Sequence, residues 1–207
     1  MIRDWKRVTC GLVAGGGMLL CGPALAENAK QETPLVAVMP FSYKANNPEY
    51  AGLEKGMAEA LTAELVKSKK FRLVERGRIE TLLQEMKLQQ GGIIDSAAAA
   101  QVGTQLGAQA YVLGSVTSVS VEDVWRSVLI AEKTTRIVSV EAEARLVDLK
   151  TFEVLASALA VGKSKTAEKH AFGGKTGKLA SVESMTGKAV QDLSKRLAKQ
   201  LIKTYSR

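Results

Sequence analysis

The stretch that decides the fold runs from Val138 to Leu146 and reads VSVEAEARL. Apolar side chains alternate along it with Ser, Glu and Arg, which is the period of a β-strand with one buried face and one solvated face. A tight turn over 149–152 leads into another apolar run that continues to about Val161. The two runs are therefore predicted to pair as a β-hairpin.

The chain before this hairpin alternates between strand and helix patterns. Apolar residues recur at helical spacing over 53–65 and over 79–86, so each segment is predicted to be a helix with one buried face. A third, Ala-rich helix is capped by Asp95 or Ser96 and ends at Gly107, where a left-handed residue fits. Short apolar runs predict three strands in the same region, at 35–39, 71–74 and 110–121.

The last part of the chain contains a polar segment and a helix. Residues 162–180 are rich in Gly and Lys and are predicted to be a loop. Apolar residues at helical spacing from Val182 to Leu201 predict a closing helix with a basic outer face. The element order is then β-α-β-α-α-β-β-β-α. This order indicates an α/β (α+β) domain in which helices cover a mixed sheet.

The first 26 residues have the pattern of a secretory signal peptide. A basic start is followed by an apolar run over 8–21, which matches the roughly 7–15 residues of the apolar core of such peptides. The small-residue cleavage site Ala24-Leu25-Ala26 comes next. Cleavage after residue 26 leaves a flexible lead-in over 27–34 and a periplasmic domain over 35–207.

The two cysteines leave a second reading of the leader open. Both of them, Cys10 and Cys21, lie in residues 1–26, so the mature chain has no thiol. Cys21 also fits lipid attachment, which would make an outer-membrane lipoprotein. Leu20 stands before it, where such a site has a small residue, so cleavage before Glu27 is preferred.

Positive charge is concentrated at the end of the chain. The sequence carries 29 Lys and Arg against 21 Asp and Glu, a net charge of +8, and residues 163–207 hold eleven basic and three acidic side chains. This segment, with Lys175 and Lys178 as candidate contacts, is either a solvated surface or binds an anion such as an acidic glycan or an anionic membrane. Export argues against nucleic acid as a partner.

The sequence offers few groups for catalysis or cofactor binding. His170 is the only histidine and lies in the polar segment, where nothing would orient it as a general base. Gly162-Lys163-Ser164 and Gly174-Lys175-Thr176 end like a phosphate-binding loop, but the glycine five positions earlier is missing from both. Without mature Cys, zinc and thiolate chemistry are not expected either. We therefore expect a protein without catalytic, metal or cofactor sites.

Trp125 is a large residue that the predicted core does not account for. It lies in an arm between two predicted strands, next to Val124 and among charged residues such as Glu122, Asp123 and Arg126. Such an arm either folds back on the core or meets a partner chain, and both alternatives stay open.

Several segments resemble the CsgG/HfaB family, the curli production assembly/transport family. They are VAVMPF at 36–41, FRLVER at 71–76, YVLGSV at 111–116 after Gly107-Ala108, and the strand pair within 142–154. The resemblance covers most of 35–204. It implies a periplasmic domain similar to the amino-terminal domain of TolB, a fold that also occurs in lipoprotein activators of peptidoglycan synthases.

The motif residues have structural roles under this resemblance. Glu75 complements the N-terminus of the following helix and Arg76 pairs with a nearby carboxylate. Gly107 ends a helix, and Gly114 allows close backbone approach within a strand. None of these is a catalytic group.

Channel-forming members of the family extend two amphipathic β-hairpins per subunit into the outer membrane. The matching segments here, 116–135 and 163–180, are interrupted by charges, and each lysine that faced lipid near the bilayer midplane would cost about 2–4 kcal/mol. The loop over 42–52 matches the one that narrows the channel in those members. Its contact candidates are Tyr43, Asn46, Asn47 and Tyr50.

The sequence thus predicts a non-enzymatic, periplasmic, CsgG-like component of a system for secretion or surface-structure assembly. It is expected to form a ring-like homo-oligomer or to dock on an envelope assembly protein, with peripheral outer-membrane contact. Two alternatives stay open. One is a lipoprotein-type regulator of peptidoglycan synthesis that binds a synthase or glycan, and the other is a true outer-membrane secretion channel.

Overall fold

A seven-stranded mixed sheet runs through the centre of the molecule. Its strands are β1 Leu35–Val38, β2 Ser42–Tyr43, β3 Arg72–Leu73, β4 Ala110–Val128, β5 Ala131–Asp148, β6 Val154–Ala171 and β7 Gly174–Thr176. Their order is β3-β1-β4-β5-β6-β7, and β2 pairs with β4 beside this path. β1 is parallel to β3 and β4, whereas the strands from β4 to β7 are antiparallel.

The computed structural model describes residues 33–87, 94–128, 131–171 and 174–206. The predicted signal peptide 1–26, with Cys21, lies outside these residues. So does most of the lead-in 27–34.

Four helices cover the sheet, and three of them begin at a side-chain cap. They are α1 Leu53–Lys67, α2 Arg76–Glu85, α3 Ser96–Gln105 and α4 Val182–Tyr205. Glu75 accepts hydrogen bonds from the amides of Gly77 and Arg78 at the start of α2. Asp95 accepts from Ala98 N at 2.7 Å, and Ser181 accepts from Ser184 N. These caps satisfy amides that have no partner within their own helix.

The helices divide between the two faces of the sheet. α1 and α4 cover one face, where Leu61 and Leu193 pack against Val140 in the larger cluster of buried side chains. α2 and α3 cover the other face, where Ile79 packs with Tyr111 in a smaller cluster. The fold is therefore a mixed sheet between two helical layers, which confirms the predicted fold class.

Small residues let α4 lie very close to the sheet. Ala156, Ala158 and Ala160 alternate along β6 and belong to the same buried cluster as α4. A Cβ added at Gly162 would stand 2.1 Å from the carbonyl oxygen of Ala189. The backbone of the helix therefore rests on the strand, and only glycine fits at this position.

The local structure also requires glycine at two other positions. Gly107 has a φ of +65° where the chain leaves α3. Gly114 lies in β4 against the ring of Phe41, and a Cβ would come within 2.3 Å of that ring. The first glycine serves the turn and the second serves the close approach of an aromatic side chain.

The strands are longer than the sequence predicted. Residues 162–171 were predicted as loop, but they continue β6, and 174–176 form β7. The arm around Trp125 was predicted to connect two strands, but it is part of β4, which runs to Val128 and is followed by β5 from Ala131. Backbone pairing explains the difference, because β4, β5 and β6 stay in register over these residues. The predicted order of the nine main elements is confirmed.

We expect Gly162→Ala to destabilise the protein by about 1–3 kcal/mol, because an added methyl group must push backbone of α4 away from β6. Urea unfolding followed by circular dichroism measures the change. Gly187→Ala is the matched control, since Gly187 lies within α4 and a Cβ added there would have no atom within 4 Å. The control is expected to gain about 0.5–1 kcal/mol from helix propensity. Equal effects of the two substitutions would contradict the close packing.

Candidate functional site

The outer parts of three strands form a projection that the helices leave almost uncovered. We call it the extension, and it comprises 122–128 of β4, 131–137 of β5 and 165–171 of β6. At about 3.3 Å per residue it is about 20 Å long. Thr135 is the one buried side chain among the residues of the extension whose exposure is described. The extension therefore contributes surface rather than core.

Asp123 and Arg136 form an ion pair across the extension. The two residues are opposite each other in the register of β4 and β5. Arg136 donates from Nε to Oδ1 at 2.8 Å and from Nη2 to Oδ2 at 2.7 Å. These hydrogen bonds hold the pKa of the Asp123 carboxyl below its usual value. The pair therefore joins β4 to β5 through charge-assisted hydrogen bonds in the extension.

Trp125 lies one step farther out on the same face. It is opposite Thr134, and its side chain is 61% exposed. Val124 points to the other face of the sheet and is also exposed. An exposed indole at the outer end of a projection is typical of a contact for another macromolecule.

Charged side chains occupy both faces of the extension. Because side chains alternate along a strand, the register assigns each residue to a face. One face carries Glu122, Arg126, Lys133, Lys165 and Lys169, and the other carries Asp123, Glu132, Arg136, Glu168 and His170. Neither face has the continuous apolar strip that hydrocarbon requires.

On its β4 side the extension ends in an open strand edge. Its β6 side is covered, because β7 pairs with residues 169–171 and the segment 177–180 lies along 166–168, so the open stretch of β6 lies inward of the extension. β1 and β2 pair with β4 only as far as Val116, so within the described residues β4 has no strand neighbour on that side beyond it. On the opposite side the amide of Lys163 points away from β5 and donates to Asp192 Oδ2 at 3.1 Å. Alternation then directs the amides of Leu159 and Val161 outward as well. Such edges can accept another strand.

The sequence predicted that His170 lies in a loop. The structure places it in β6 instead. Its Nε2 is 2.8 Å from Oε1 of Glu168, and Oε2 of that carboxylate accepts from the amide of Leu179 at 3.4 Å. Thr166 Oγ1 donates to the carbonyl of Lys178 at 3.3 Å. These bonds hold the segment 177–180 along the outer part of β6.

The loop over 42–52 is tied to the strand below the extension. Tyr43 donates its hydroxyl to the carbonyl of Asn47, whose own Nδ2 donates to the carbonyl of Val119 at 3.0 Å. Tyr43 and Tyr50 are half-buried against the larger core cluster, and burial raises the pKa of both phenols. Asn46 is exposed. Three of the four predicted contact candidates therefore make contacts within their own chain.

The structure does not bring the predicted contact residues together. Six residues separate Val119, which holds the loop, from Trp125, so the two regions are about 20 Å apart along β4. Lys178 is exposed beside β6. Lys175 is opposite His170 in the sheet, and its side chain lies outside the described residues.

Glu75 and Arg76 lie at the start of α2, where Arg76 lines a cleft with Phe41 and Glu54. Hydrogen bonds from two backbone amides lower the pKa of the Glu75 carboxyl. Arg76 donates from Nε to Glu80 Oε1 at 2.8 Å, and Glu59 lies 3.9 Å away. The two residues join α1, α2 and the strand before them.

A polar cleft on the sheet face beside α3 is the nearest approach to a reactive site. It encloses about 220 Å³, and Ser115 Oγ donates there to Glu143 Oε1 at 2.8 Å. Lys44 Nζ is 3.6 Å from the same oxygen. The hydrogen bond from Ser115 is the main cause that lowers the pKa of Glu143. A carboxylate with a lowered pKa is a weak base, so this pair stabilises the sheet rather than activating the hydroxyl.

Asp123, Arg136 and the strand edges were missed as features of one site. The sequence does contain a signal for the long strands that carry these features: neither Gly nor Pro occurs between Gly114 and Gly162. Uninterrupted sequence of this kind favours long strands. Glu122 and Asp123 were predicted to lie among the charged residues of the arm around Trp125, and the strand pairing places them on two different faces.

The geometry defines an α/β domain with a three-stranded extension. Comparison with known proteins gives its family. The family model of the curli production assembly/transport component CsgG matches residues 24–206. The chain belongs to the CsgG family, whose members are cell-envelope proteins and are generally non-catalytic. This confirms the resemblance found in the sequence.

Solved structures of three other proteins are similar to this chain. The lipoprotein GNA1162 from Neisseria meningitidis is 18% identical, with 64% of this chain and 83% of that chain covered and a TM-score of 0.47. The LpoB C-terminal domain from Escherichia coli is 15% identical, with 62% and 82% covered and a TM-score of 0.45. The PelC dodecamer from Paraburkholderia phytofirmans is 11% identical, with 79% and 88% covered and a TM-score of 0.40.

Two further comparisons concern the whole sequence and the helices. No curated protein matches the sequence. Within the described ranges, none of the four helices combines the length and the apolar character needed to cross a bilayer.

We expect Arg136→Gln to raise the pKa of Asp123 toward its ordinary value of about 3.9, because the main cause of its lowering is the hydrogen bond from Arg136. A carboxyl with a lowered pKa stabilises the fold above its unfolded pKa, and this contribution is lost as pH falls through the folded pKa. NMR titration of the carboxyl carbons measures the change.

Asp148 provides the internal control for this titration. Backbone amides of Thr151 and Lys150 lower its pKa, and Arg136 makes no contact with it. Its pKa is expected to stay unchanged in Arg136→Gln. A pKa of Asp123 that also stayed unchanged would contradict the ion pair.

Proposed function

We propose that the protein is a non-enzymatic periplasmic component of an envelope system for secretion or surface-structure assembly, and that it associates with further copies of itself through the extension. The observation that carries the proposal is the extension itself. It projects about 20 Å, exposes Trp125 and leaves the outer edge of β4 open. A projection without a core serves contact better than stability.

We propose a non-enzymatic role because the candidate reactive side chains, Ser115 and His170, are not arranged for catalysis. Ser115 is held by a carboxylate of lowered pKa, and His170 is held by Glu168 on the extension, far along the sheet from that serine. A nucleophile, a base and a group that orients the base are therefore not assembled from these residues. Family membership supports the same conclusion.

Charge on the two edges favours contact between unlike edges. The outer part of β4 carries Glu122, Asp123 and Arg126, a net charge of −1, whereas Lys163, Lys165, Glu168 and Lys169 give the outer part of β6 a net charge of +2. Two copies that met through the same edge would place like charges together, and contact between different edges would place opposite charges together. Contacts between different patches produce rings when the rotation closes. The proposal therefore includes a ring rather than a two-fold dimer.

The predicted alternatives have less support from the geometry. Both faces of the extension carry charges, which does not suit a channel wall in contact with lipid. A regulator of peptidoglycan synthesis would bind a synthase or glycan through the basic C-terminal region. Co-sedimentation with purified sacculi tests it, and saturable binding without self-association would favour that regulator.

We expect Trp125→Ala to weaken self-association by about 30-fold or more, because a buried Trp at an interface typically contributes at least about 2 kcal/mol. Sedimentation velocity over a range of concentrations measures the change. Phe152→Ala is the matched control. Phe152 is also 61% exposed but lies in the turn before β6, at the opposite end of the strands.

The control variant is expected to associate like the unmodified protein. Equal weakening by the two substitutions would show that exposed aromatic surface acts without regard to position. A monomer at every concentration for the unmodified protein would refute self-association altogether.

A further inference from the structure

A dense group of lysines lies at the end of the molecule opposite the extension. α4 runs back along β6, so its C-terminus lies at the end where β6 begins. Tyr205 contacts Phe71 there with the two rings tilted by 54° and their centroids 5.0 Å apart. α1 ends at the same place, since its last turn and the last turns of α4 line one groove. We call the exposed residues of this end the basal patch: Val66, Lys67, Lys69, Lys70, Lys199 and Lys203.

The basal patch combines cations with an apolar floor. Lys67, Lys199 and Lys203 line a shallow groove of about 510 Å³ whose floor includes Ala198 and Ile202. Lys195 precedes Lys199 by about one helical turn and lines the same groove. Positive side chains therefore recur about every 6 Å along α4. Val66 is 55% exposed beside them.

Few acidic groups neutralise these lysines. Glu64 also lines the groove, and its Oε1 is 2.6 Å from Lys67 Nζ. Among the described residues, no ion pair involves the remaining lysines of the groove and of the turn after α1. Lysines therefore outnumber carboxylates on this surface, which suits an anionic partner.

The entry point of the chain indicates which anionic partner. Arg72 Nε donates to the carbonyl of Thr33 at 3.0 Å, and its amide donates to the carbonyl of Pro34 at 2.9 Å, only two residues after Lys70. The chain that precedes Thr33 thus joins the fold beside the basal patch. The predicted secretory leader over 1–26 belongs to that preceding chain, so the protein is expected to reside in the envelope, beside phospholipid bilayers. Bilayer phosphates are an anionic surface that suits these lysines.

We propose that the basal patch binds the surface of an anionic phospholipid bilayer. The lysines attract the lipid phosphates, and Val66 and Tyr205 supply exposed apolar and aromatic surface at the level of the headgroups. The inference is independent of self-association, because it uses the opposite end of the strands from the extension.

Vesicle flotation tests the proposal. The protein is produced from the full sequence, purified from the envelope and mixed with phosphatidylcholine vesicles that contain about one third phosphatidylglycerol. Binding is expected at low salt and lost at about 0.5 M salt, where screening shortens the range of charge to about 4 Å. Each lysine contributes about a fivefold gain, so Lys199→Gln with Lys203→Gln should weaken binding by about 25-fold.

Lys55→Gln with Lys188→Gln is the matched control. Both lysines are exposed on α1 and α4, and the double substitution changes the net charge equally but lies away from the patch. Its effect is expected to stay below about twofold, and circular dichroism confirms that both variants fold. Equal weakening by the two pairs would overturn the proposal in favour of net charge alone.

Three other results would also overturn the proposal. Equal binding to pure phosphatidylcholine would assign attachment to apolar insertion or to an acyl chain rather than to the lysines. Failure to bind any vesicle at low salt would exclude the bilayer surface. Poly-glutamate binding without vesicle binding, if weakened by Lys199→Gln with Lys203→Gln, would assign the patch to an acidic protein.

Discussion

Close packing of α4 on β6 is the contact on which the rest of the structure depends. Gly162 and the alanines before it bring helix backbone directly against strand backbone, so the large apolar side chains of α4 reach across to β5. This contact buries the inner halves of the long strands. It also fixes where burial ends, because the helix begins at Val182 and leaves the outer halves of the strands with little cover. The same packing thus creates both the core and the extension.

Without a core, the extension keeps its shape through its own strand pairing. Backbone hydrogen bonds continue in register from the buried part to the tip, and the Asp123–Arg136 pair adds a side-chain link between β4 and β5. On the other side, Thr166 and Glu168 hold the segment 177–180 along β6. Polar contacts of this kind keep the extension ordered without the burial of many apolar side chains. This suits a part of the molecule that binds another macromolecule.

The predictable parts of the fold are those that a local pattern determines. The alternation over 138–146, the helical spacing from Leu53 to Leu65 and the capping carboxylate Glu75 each act within a few residues, so the sequence alone places them. The strand that continues past Gly162 could not be predicted in this way. That glycine resembles a strand terminator in the sequence, but it is required by a helix 27 residues later in the chain, at Ala189. Contacts between distant residues also decide the site, since register alone places Arg136 opposite Asp123.

The excess of positive charge in the C-terminal quarter is not one surface. Lys163 and Lys165 lie on β6 near the extension, whereas Lys199 and Lys203 lie on the last turns of α4 at the basal end. The amide of Lys163 is hydrogen-bonded to Asp192, and Lys199 and Lys203 follow that residue by about 11 and 17 Å along α4. Because charges interact over only about 8 Å at physiological ionic strength, the groups act independently. A basic sequence segment can therefore serve two partners, one that meets the edge of the sheet and one that meets the opposite end, without either contact weakening the other.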